Sequence, residues 1–354
     1  MQMRTRGGGH DYEGLSYLSY EDTTPFFILD MFNLRLIDVN IEQEIAWVEA
    51  GATLGEVYYK ISKISNTHGV PASVCPTVAV GGHCSRGGYG NMMRKYRLVV
   101  DQIEDAKLID VNGELLDRRS IGDDLFWAIT GGGGASFGFP VGTSREALLS
   151  RSQQSKRQRK FKIKSDFLKE YISKQGMKSI FKRMQELRSQ TLTFNPLGGR
   201  LNEISEFAKP YPHRAGNLAM IQYQMYWDDS RTEAANQYIE STRLMHEHMT
   251  PYVSKNPRQA VFNYRDLDLG VNHNRKNSYE EGKVYGLKYW NEVNFNKLMM
   301  VKSRVDPGNF FRNEQEVPTL ESSSRVKIAD SPTEHSSKSF KYLGETFQER
   351  KRAE

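Results

Sequence analysis

Residues 26–30 read FFILD, four apolar positions in a row closed by an aspartate. A short apolar run of this kind predicts a buried strand, and IAWVEAG at 45–51 predicts another. The period then changes. In ATLGEVYYKISKIS (52–65), Leu54, Val57, Tyr58 and Ile61 recur three and four apart, a helical stripe. Thr53 with Glu56 three residues later is the capping box that would start it. RLVVDQIEDAKLIDVNGELL (97–116) predicts two strands and a hairpin closed by Asn112-Gly113, and DDLFWAIT (123–130) a short helix running into GGGGASFG. Periodicity stops over 139–160, where FPVGTSREALLSRSQQSKRQRK reads as a polar, basic linker. Beyond it, helices are expected near 174–189, 230–249 and 278–303, and strands at LAMIQYQMYW (218–227) and QAVFNY (259–264). The stretch from Glu321 to Glu354 is rich in Ser, Lys and Glu and predicts disorder. The mixture points to an α+β or α/β fold.

Composition narrows this picture only modestly. With 354 residues, 38 % hydrophobic and 26 % charged, the chain suits a soluble globular protein of one large or two ordinary domains. The formal charge of +6 is partly local, because SKRQRKFKIK (155–164) carries six basic residues and no acid. It therefore argues weakly for a nucleic-acid partner, and the single RGG at 6–8 and the KRQRK patch do not change that. Two cysteines, Cys75 and Cys84, make neither a disulfide framework nor a metal knuckle. His246 and His248 stand two apart, which on a helix turns them to different faces, so no metal site is expected. No apolar run reaches the roughly 18 residues of a membrane span, and MQMRTRGGGH has no apolar core of a secretory leader. As given, the chain would stay in the cytosol.

Candidate chemistry gathers around three glycine clusters: GGGH (7–10), GGHCSRGGYG (81–90) and GGGGASFG (131–138). None is a Walker loop or a clean GxGxxG. Bare N–H groups at Gly7, Gly8 and Gly9, flanked by Arg4 and Arg6, compose an anion-binding concavity suited to a diphosphate. The set predicts either several loops meeting on one extended ligand or a collection of tight turns.

RTRGGGHDYEGLSY, VCPTVAVGGHCSRGGYGNMMRKYRLVVD and DLFWAITGGGGASFG resemble the plant berberine-bridge-enzyme-like flavoproteins, which include reticuline oxidase and the cannabinoid synthases. PHRAGNL, MTPYVSKNPR, NYRDLDLG and KVYGLKYWNEVNFNKLMMVKSRVDPGNFFRNEQ carry the likeness through the second half. The resemblance implies an α+β fold. A vanillyl-alcohol-oxidase-type (PCMH-type) FAD-binding domain would be joined to an incomplete antiparallel-sheet substrate domain and a C-terminal berberine-bridge-enzyme segment. It implies FAD bonded covalently to His10 and to Cys75. Both are sensible nucleophiles toward an electron-poor isoalloxazine, although an ordinary turn histidine and a buried cysteine are the plainer readings. It further implies cofactor contacts at Arg4, Arg6, Gly7, Gly8, Gly9, Val78, Gly81, Gly82, Ser85, Gly88, Tyr89 and Asn309. Tyr264 matches the catalytic base, and Gln222 a residue that would donate to its tyrosinate. Val78 matches a position thought to gate oxygen, where a small valine resembles the oxidases. His83 is expected to make a structural hydrogen bond.

The sequence also departs from that pattern. Relatives carry more of the FAD domain before this motif and a longer substrate domain after Gly138. Where they usually read CPTVGVGGHFSGGGYG, this chain has Ala79, Cys84 and Arg86, and Gly7 stands in place of a serine. An arginine would be strained at 86 if that position needs φ > 0. The organisation expected is a FAD-binding part over 1–138, the basic linker over 139–160 at an apparent deletion and a substrate-domain remnant over 161–258. A segment returning to the FAD domain follows over 259–320, and a disordered tail over 321–354. The function expected is a bicovalent FAD oxidase acting on an alcohol-type donor, whether carbohydrate, monolignol or alkaloid, with O2 as acceptor. The alternative is an inactive, truncated paralogue or partial gene model. The expected partners are a small-molecule substrate and O2, with no nucleic acid and no membrane span, in a monomer. Relatives are secreted, cell-wall or vacuolar, which conflicts with the missing leader.

Overall fold

The first glycine cluster sits at the end of a strand. In the computed structural model β1 (Gln2–Arg6) pairs in parallel with β2 (Phe26–Asp30), Gln2 opposite Phe26 and Arg6 opposite Asp30. The structure describes residues 2–20, 24–140, 160–187, 190–228, 231–273 and 278–320. The tail expected over 321–354 falls outside them, as does the linker expected over 139–160 apart from its two ends.

Residues 26–30 form a strand, but not a buried one. Phe26, Phe27 and Ile28 are 36 %, 41 % and 39 % exposed, and since successive side chains alternate, neither face of the two-stranded sheet is fully covered there by the described residues. β3 (Ile37–Asn40) and β4 (Ile45–Val48) form an antiparallel pair, and Ile45 is likewise exposed. α1 (Leu54–Ile64) follows its pattern. Thr53 N donates to Glu56 Oε2 at 2.7 Å, Glu56 N donates to Thr53 Oγ1 at 3.4 Å, and Leu54, Val57 and Ile61 are buried. Next come the short helices α2 (Val80–Cys84) and α3 (Met93–Tyr96).

Residues 99–102 form a 3-10 turn instead of the first of the expected strands. Asp101 accepts the Leu98 N–H at 3.1 Å and both terminal nitrogens of Arg214 at 2.8 Å, which pulls the chain round. The hairpin does form. β5 (Leu108–Ile109) and β6 (Leu115–Leu116) pair across a turn with Gly113 at φ +83°. α4 (Arg118–Ile129) is broken at Gly122, φ +70°, and its second half is the predicted helix. β7 (Phe139–Pro140) returns to β5.

The second half is built on a three-stranded antiparallel sheet, in order β8 (Lys160–Leu168), β10 (Ala219–Trp227), β9 (Thr191–Pro196). In register, Gln222 lies opposite Ser165 and Thr193, and Tyr226 opposite Phe161. α5 (Lys174–Leu187) and α6 (Thr232–His248) belong to one side: Ile221 and Tyr223 pack with Ile180, Met245 and Met249. On the other side Met220 and Phe167 pack with Leu98, Val100, Val261 and Tyr264. That second core joins the sheet to the glycine-rich half. α7 (Tyr279–Val305), interrupted at Asn291, is the last helix of the described residues, and an irregular segment follows it to residue 320.

Residues 259–264 are not a strand. Val261 N donates to Ser165 Oγ at 3.0 Å, Ala260 N donates to Lys288 O at 3.0 Å, and Phe262–Tyr264 turn as a 3-10 helix. Ala260, Val261, Phe262 and Tyr264 are all buried, a demand that an alternating strand pattern does not describe. Among the described residues no helix is long and apolar enough to cross a membrane.

Candidate active site

The first glycine cluster folds onto the second. A Cβ on Gly8 would stand 2.6 Å from Thr77 O and 2.8 Å from Ala79 N, and one on Gly7 2.8 Å from the Ala79 Cβ. Only glycine permits so close an approach. The third cluster closes on the same segment: the N–H groups of Gly131 and Gly133 both donate to Ser85 O, at 3.0 and 2.9 Å. The three loops therefore meet, with residues 75–88 as the hub.

This packing brings His10 beside Thr77. His10 Nε2 lies 2.8 Å from Thr77 Oγ1, and Cys75 Sγ lies 3.7 Å from the same atom. The imidazole nitrogen and the sulfur can be no farther apart than those two lengths laid end to end. His10 is exposed and Cys75 half-buried, so both are open to a reagent. Cys84 is different: burial pushes its thiol up to about 12, which leaves it an inert packing group.

The next residue pair carries the site to the sheet. Tyr12 stacks on Tyr264 with ring centres 5.3 Å apart and meets Phe161 edge-on at 5.6 Å. Tyr89 meets Tyr264 edge-on at 5.9 Å. Gln222 Nε2 donates to the Tyr12 hydroxyl at 2.8 Å. The expected bond from Gln222 to Tyr264 is thus not made, because Tyr12 takes the amide. The Tyr264 hydroxyl has no hydrogen-bond partner among the described residues. Burial, then the neighbouring Tyr89, raises the Tyr12 phenol well above its ordinary value, so it stays a protonated donor.

Asp11 and Glu13 point the other way and anchor the turn. Asp11 Oδ2 accepts from Arg86 at 3.1 Å with Arg265 at 3.6 Å, while its Oδ1 accepts the N–H groups of Glu13 and Leu15. Glu13 Oε1 accepts from Lys162 Nζ at 2.7 Å and from Leu267 N at 3.3 Å. Lys162 and Lys164 continue the network to Asp266 and Asp268. Phe161 and Lys162 are successive strand residues and face opposite sides. Tyr12 and Glu13 therefore grip the two faces of edge strand β8.

A family described as "FAD binding domain" matches residues 1–118, and one described as "Berberine and berberine like" matches residues 260–318. The chain is 41 % identical to berberine bridge enzyme-like 8 of Arabidopsis thaliana over 435 residues, covering 90 % of this chain and 81 % of that protein. It is 40 % identical to berberine bridge enzyme-like 19 of the same plant, over 93 % of this chain and 76 % of the relative. The chain belongs to the berberine bridge enzyme-like family. The solved structure of Arabidopsis thaliana BBE-like 28 overlays with a TM-score of 0.82 at 33 % identity, spanning 91 % of this chain and 88 % of that one. A reticuline dehydrogenase variant of berberine bridge enzyme overlays at 0.83 and 30 % identity, spanning 90 % and 85 %. Phl p 4, a grass pollen allergen with glucose dehydrogenase activity, overlays at 0.83 and 33 %, spanning 90 % and 86 %. As a berberine bridge enzyme-like protein the chain is an FAD-linked oxidoreductase with the PCMH-type α+β fold expected from its motifs.

The residues present fit that cofactor. Two nucleophiles meet at one hydroxyl. The N–H groups of Gly8, Gly9 and Gly82 have no acceptor among the described residues, and a Cβ on Gly82 would meet only open space. Gly81 instead packs against Ala50, and Gly88, at φ +68°, against Val99 and His83. Val78 is half-buried against the cluster of Leu54, Ala72 and Val99.

Other side chains singled out in this berberine bridge enzyme-like chain already have partners within it. Arg4 is buried in an ion pair with Glu314 at 2.9 Å, and Arg6 pairs with Asp30 through Nε at 3.0 Å. Each guanidinium thus already faces a carboxylate and does not add uncompensated charge to the glycine loop. Asn309 donates to Glu316 Oε1 at 2.7 Å and lines a separate pocket of about 330 Å3 with Gln2, Arg312 and Asn313. Arg86 carries no left-handed strain; Gly87 and Gly88 after it take the positive φ. His83 accepts from Ser73 N at 3.3 Å, the structural bond expected of it. His246 pairs with Asp166 and His248 with Ser179.

Tyr12, Glu13 and Thr77 escaped the motif reading. The alternation of HDYE, with two groups facing the site and two acids turned away, is the signal that could have found them.

Proposed function

We propose that the chain is a bicovalent flavoprotein oxidase that takes hydride from an alcohol-type donor and passes the electrons to O2. The single observation that carries this reading is the meeting of His10 and Cys75 at Thr77 Oγ1. Bound FAD supplies the hydride acceptor. Tyr264, whose hydroxyl makes no hydrogen bond among the described residues, would take the substrate proton as its phenolate, and Tyr12, steadied by Gln222, would donate to the substrate oxygen. The rings of Tyr12, Tyr89, Phe161 and Tyr226 suit a donor with a flat or apolar body, and the Gln222 and Gln224 amides suit its hydroxyls. Val78, a small residue at the position the family resemblance assigns to oxygen access, would favour O2 as the acceptor.

A specific observation favours a second reading. The match to berberine bridge enzyme-like 8 runs over 435 positions, more than the 354 residues of this chain, so that relative carries internal segments this one skips. On that reading the chain keeps its family residues without turnover.

Purified protein run on a denaturing gel separates the two. Flavin fluorescence should stay with the chain and survive in either His10→Ala or Cys75→Ala, and be lost only in the double variant. Donor-dependent peroxide from the same preparation supports the oxidase. A chain that leaves all its flavin in the solvent front sinks bicovalent attachment, and bound flavin without peroxide supports the inactive reading.

A further inference from the structure

Arg86 stands where the resembling motif carries glycine, and its side chain is put to use. Its guanidinium donates to Asp11 Oδ2 at 3.1 Å and lies 4.9 Å over the Phe262 ring. Arg265 approaches the same carboxylate oxygen at 3.6 Å and the same ring at 5.2 Å. The Asp11 and Arg265 side chains are nearly inaccessible, and Arg86 is only 17 % exposed. Two cations thus share one carboxylate, and a net positive charge is enclosed one residue from His10. Burial, then Arg265, draws the Arg86 guanidinium down to about 10, so it remains charged at neutral pH.

Asp11 shapes the turn as well as accepting these charges. Its other oxygen takes the N–H groups of Glu13 and Leu15, both at 3.2 Å. Whatever fixes the Asp11 carboxylate therefore fixes the direction of the backbone between His10 and Leu15. We propose that Arg86 is a positioning residue for the flavin-bearing turn: through Asp11 it aims His10 at Thr77 and Tyr12 at Gln222, and it supplies the unbalanced positive charge beside them. The proposal rests on flavin attachment at His10.

The test uses holoprotein expressed with FAD and reads three quantities: the flavin-bearing fraction of the His10 peptide after digestion, the reduction potential of the bound flavin, and the melting temperature. Arg86→Met should lower the flavin-bearing fraction of the His10 peptide severalfold and shift the potential to more negative values, since a nearby cation favours the reduced, more anionic ring. Arg86→Lys should keep the potential but restore attachment only in part, because an ammonium makes a point contact where the guanidinium spans. In an Asp11→Asn background Arg86→Met should cause no further loss of attachment, the signature of one shared path. Wild-type attachment and potential in Arg86→Met would overturn the proposal. So would a fall in melting temperature alone, or equal losses in both backgrounds. If wild type itself carries no covalent flavin, the attachment at His10 is overturned, an outcome visible before any variant is made.

Discussion

Thr77 holds one hydroxyl between an imidazole and a thiol, within hydrogen-bond reach of His10 Nε2. A hydroxyl offers one proton and two lone pairs. When Oγ1 accepts from Nε2–H across 2.8 Å, the lone pair of His10 is left on Nδ1, the nitrogen then able to form a bond. Thr77→Val keeps the shape and removes this hydroxyl. We expect it to reduce the flavin-bearing fraction of the His10 peptide severalfold, read by mass spectrometry after digestion, while Thr77→Ser stays near wild type. Equal yields in all three chains would remove Thr77 from the account. The residue scale is also where the sequence spoke unevenly. His10 and Cys75 could be singled out together because rare residue types stood in a recognisable setting, and the structure brings both to Thr77 Oγ1. Thr77 was not, since nothing in CPTV distinguishes a hydroxyl that bridges two reactive groups from one that merely ends a turn. For Arg4 and Arg6 the charge is visible in the sequence, whereas the carboxylates that meet it, Glu314 and Asp30, arrive from distant stretches.

α2 shows what a whole element adds. Its five residues carry His83, buried beneath the segment that presents Cys75, with Nε2 accepting from Ser73 N. An accepting nitrogen must be unprotonated, and burial lowers this imidazole to about 4. The unfolded chain binds that proton near pH 6.5. Stability from the neutral His83 is therefore complete above pH 6.5 and is lost as the pH falls through 4. His213 and His246, lowered by burial to about 3 and about 2, act with the same sign. Melting temperatures measured from pH 7 to 4.5 should fall, and His83→Gln, which keeps an acceptor but cannot titrate, should fall less. Parallel curves would assign the acid sensitivity elsewhere. Elements with local causes were readable beforehand: the box at Thr53, the Asn112-Gly113 turn and the strand at 219–227 all formed as their patterns demand. The failures had remote causes. Residues 259–264 turn because Ser165 and Lys288 take their amides, and the strand at 26–30 is exposed because neither face of its sheet is fully covered by the described residues.

At the scale of the molecule the site depends on stretches far apart in the chain: 10–13, 75–89, the sheet, and 262–266. What holds the last of these against the first is a set of buried contacts from α7 and the residues after it. The Tyr289 hydroxyl accepts the Asp266 N–H and Gln315 Nε2 donates to Asp266 O, while Lys302 anchors the residues that follow α7. Its Nζ, fully enclosed, donates to Ser136 O at 2.6 Å, to Asp306 Oδ2 at 2.6 Å and to Phe311 O at 2.7 Å. Ser136 belongs to the third glycine cluster, whose Gly131 carbonyl also accepts from Trp290 Nε1. One ammonium thus ties the C-terminal segment to the loop that packs on Ser85. Asp306 in turn accepts the N–H groups of Phe310 and Phe311 and shapes the turn that follows α7. Lys302→Met fills the same space but leaves a buried carboxylate and two carbonyls without their donor. Breaking one side of a buried pair costs about 3–5 kcal/mol, a large share of the roughly 5–15 kcal/mol that a folded domain has. Lys297→Met is the control: its ion pair to Asp124 is exposed and long at 3.8 Å, and such pairs contribute about 0–1 kcal/mol. Urea unfolding of the two variants should therefore diverge, with the midpoint of Lys302→Met far below that of Lys297→Met. If Lys302 is the tie between the halves, the change in flavin fluorescence as urea exposes the tethered ring should follow the same ordering as the loss of helix signal. A Lys302→Met chain that unfolds at the wild-type midpoint would mean that the C-terminal segment is held by its apolar packing alone.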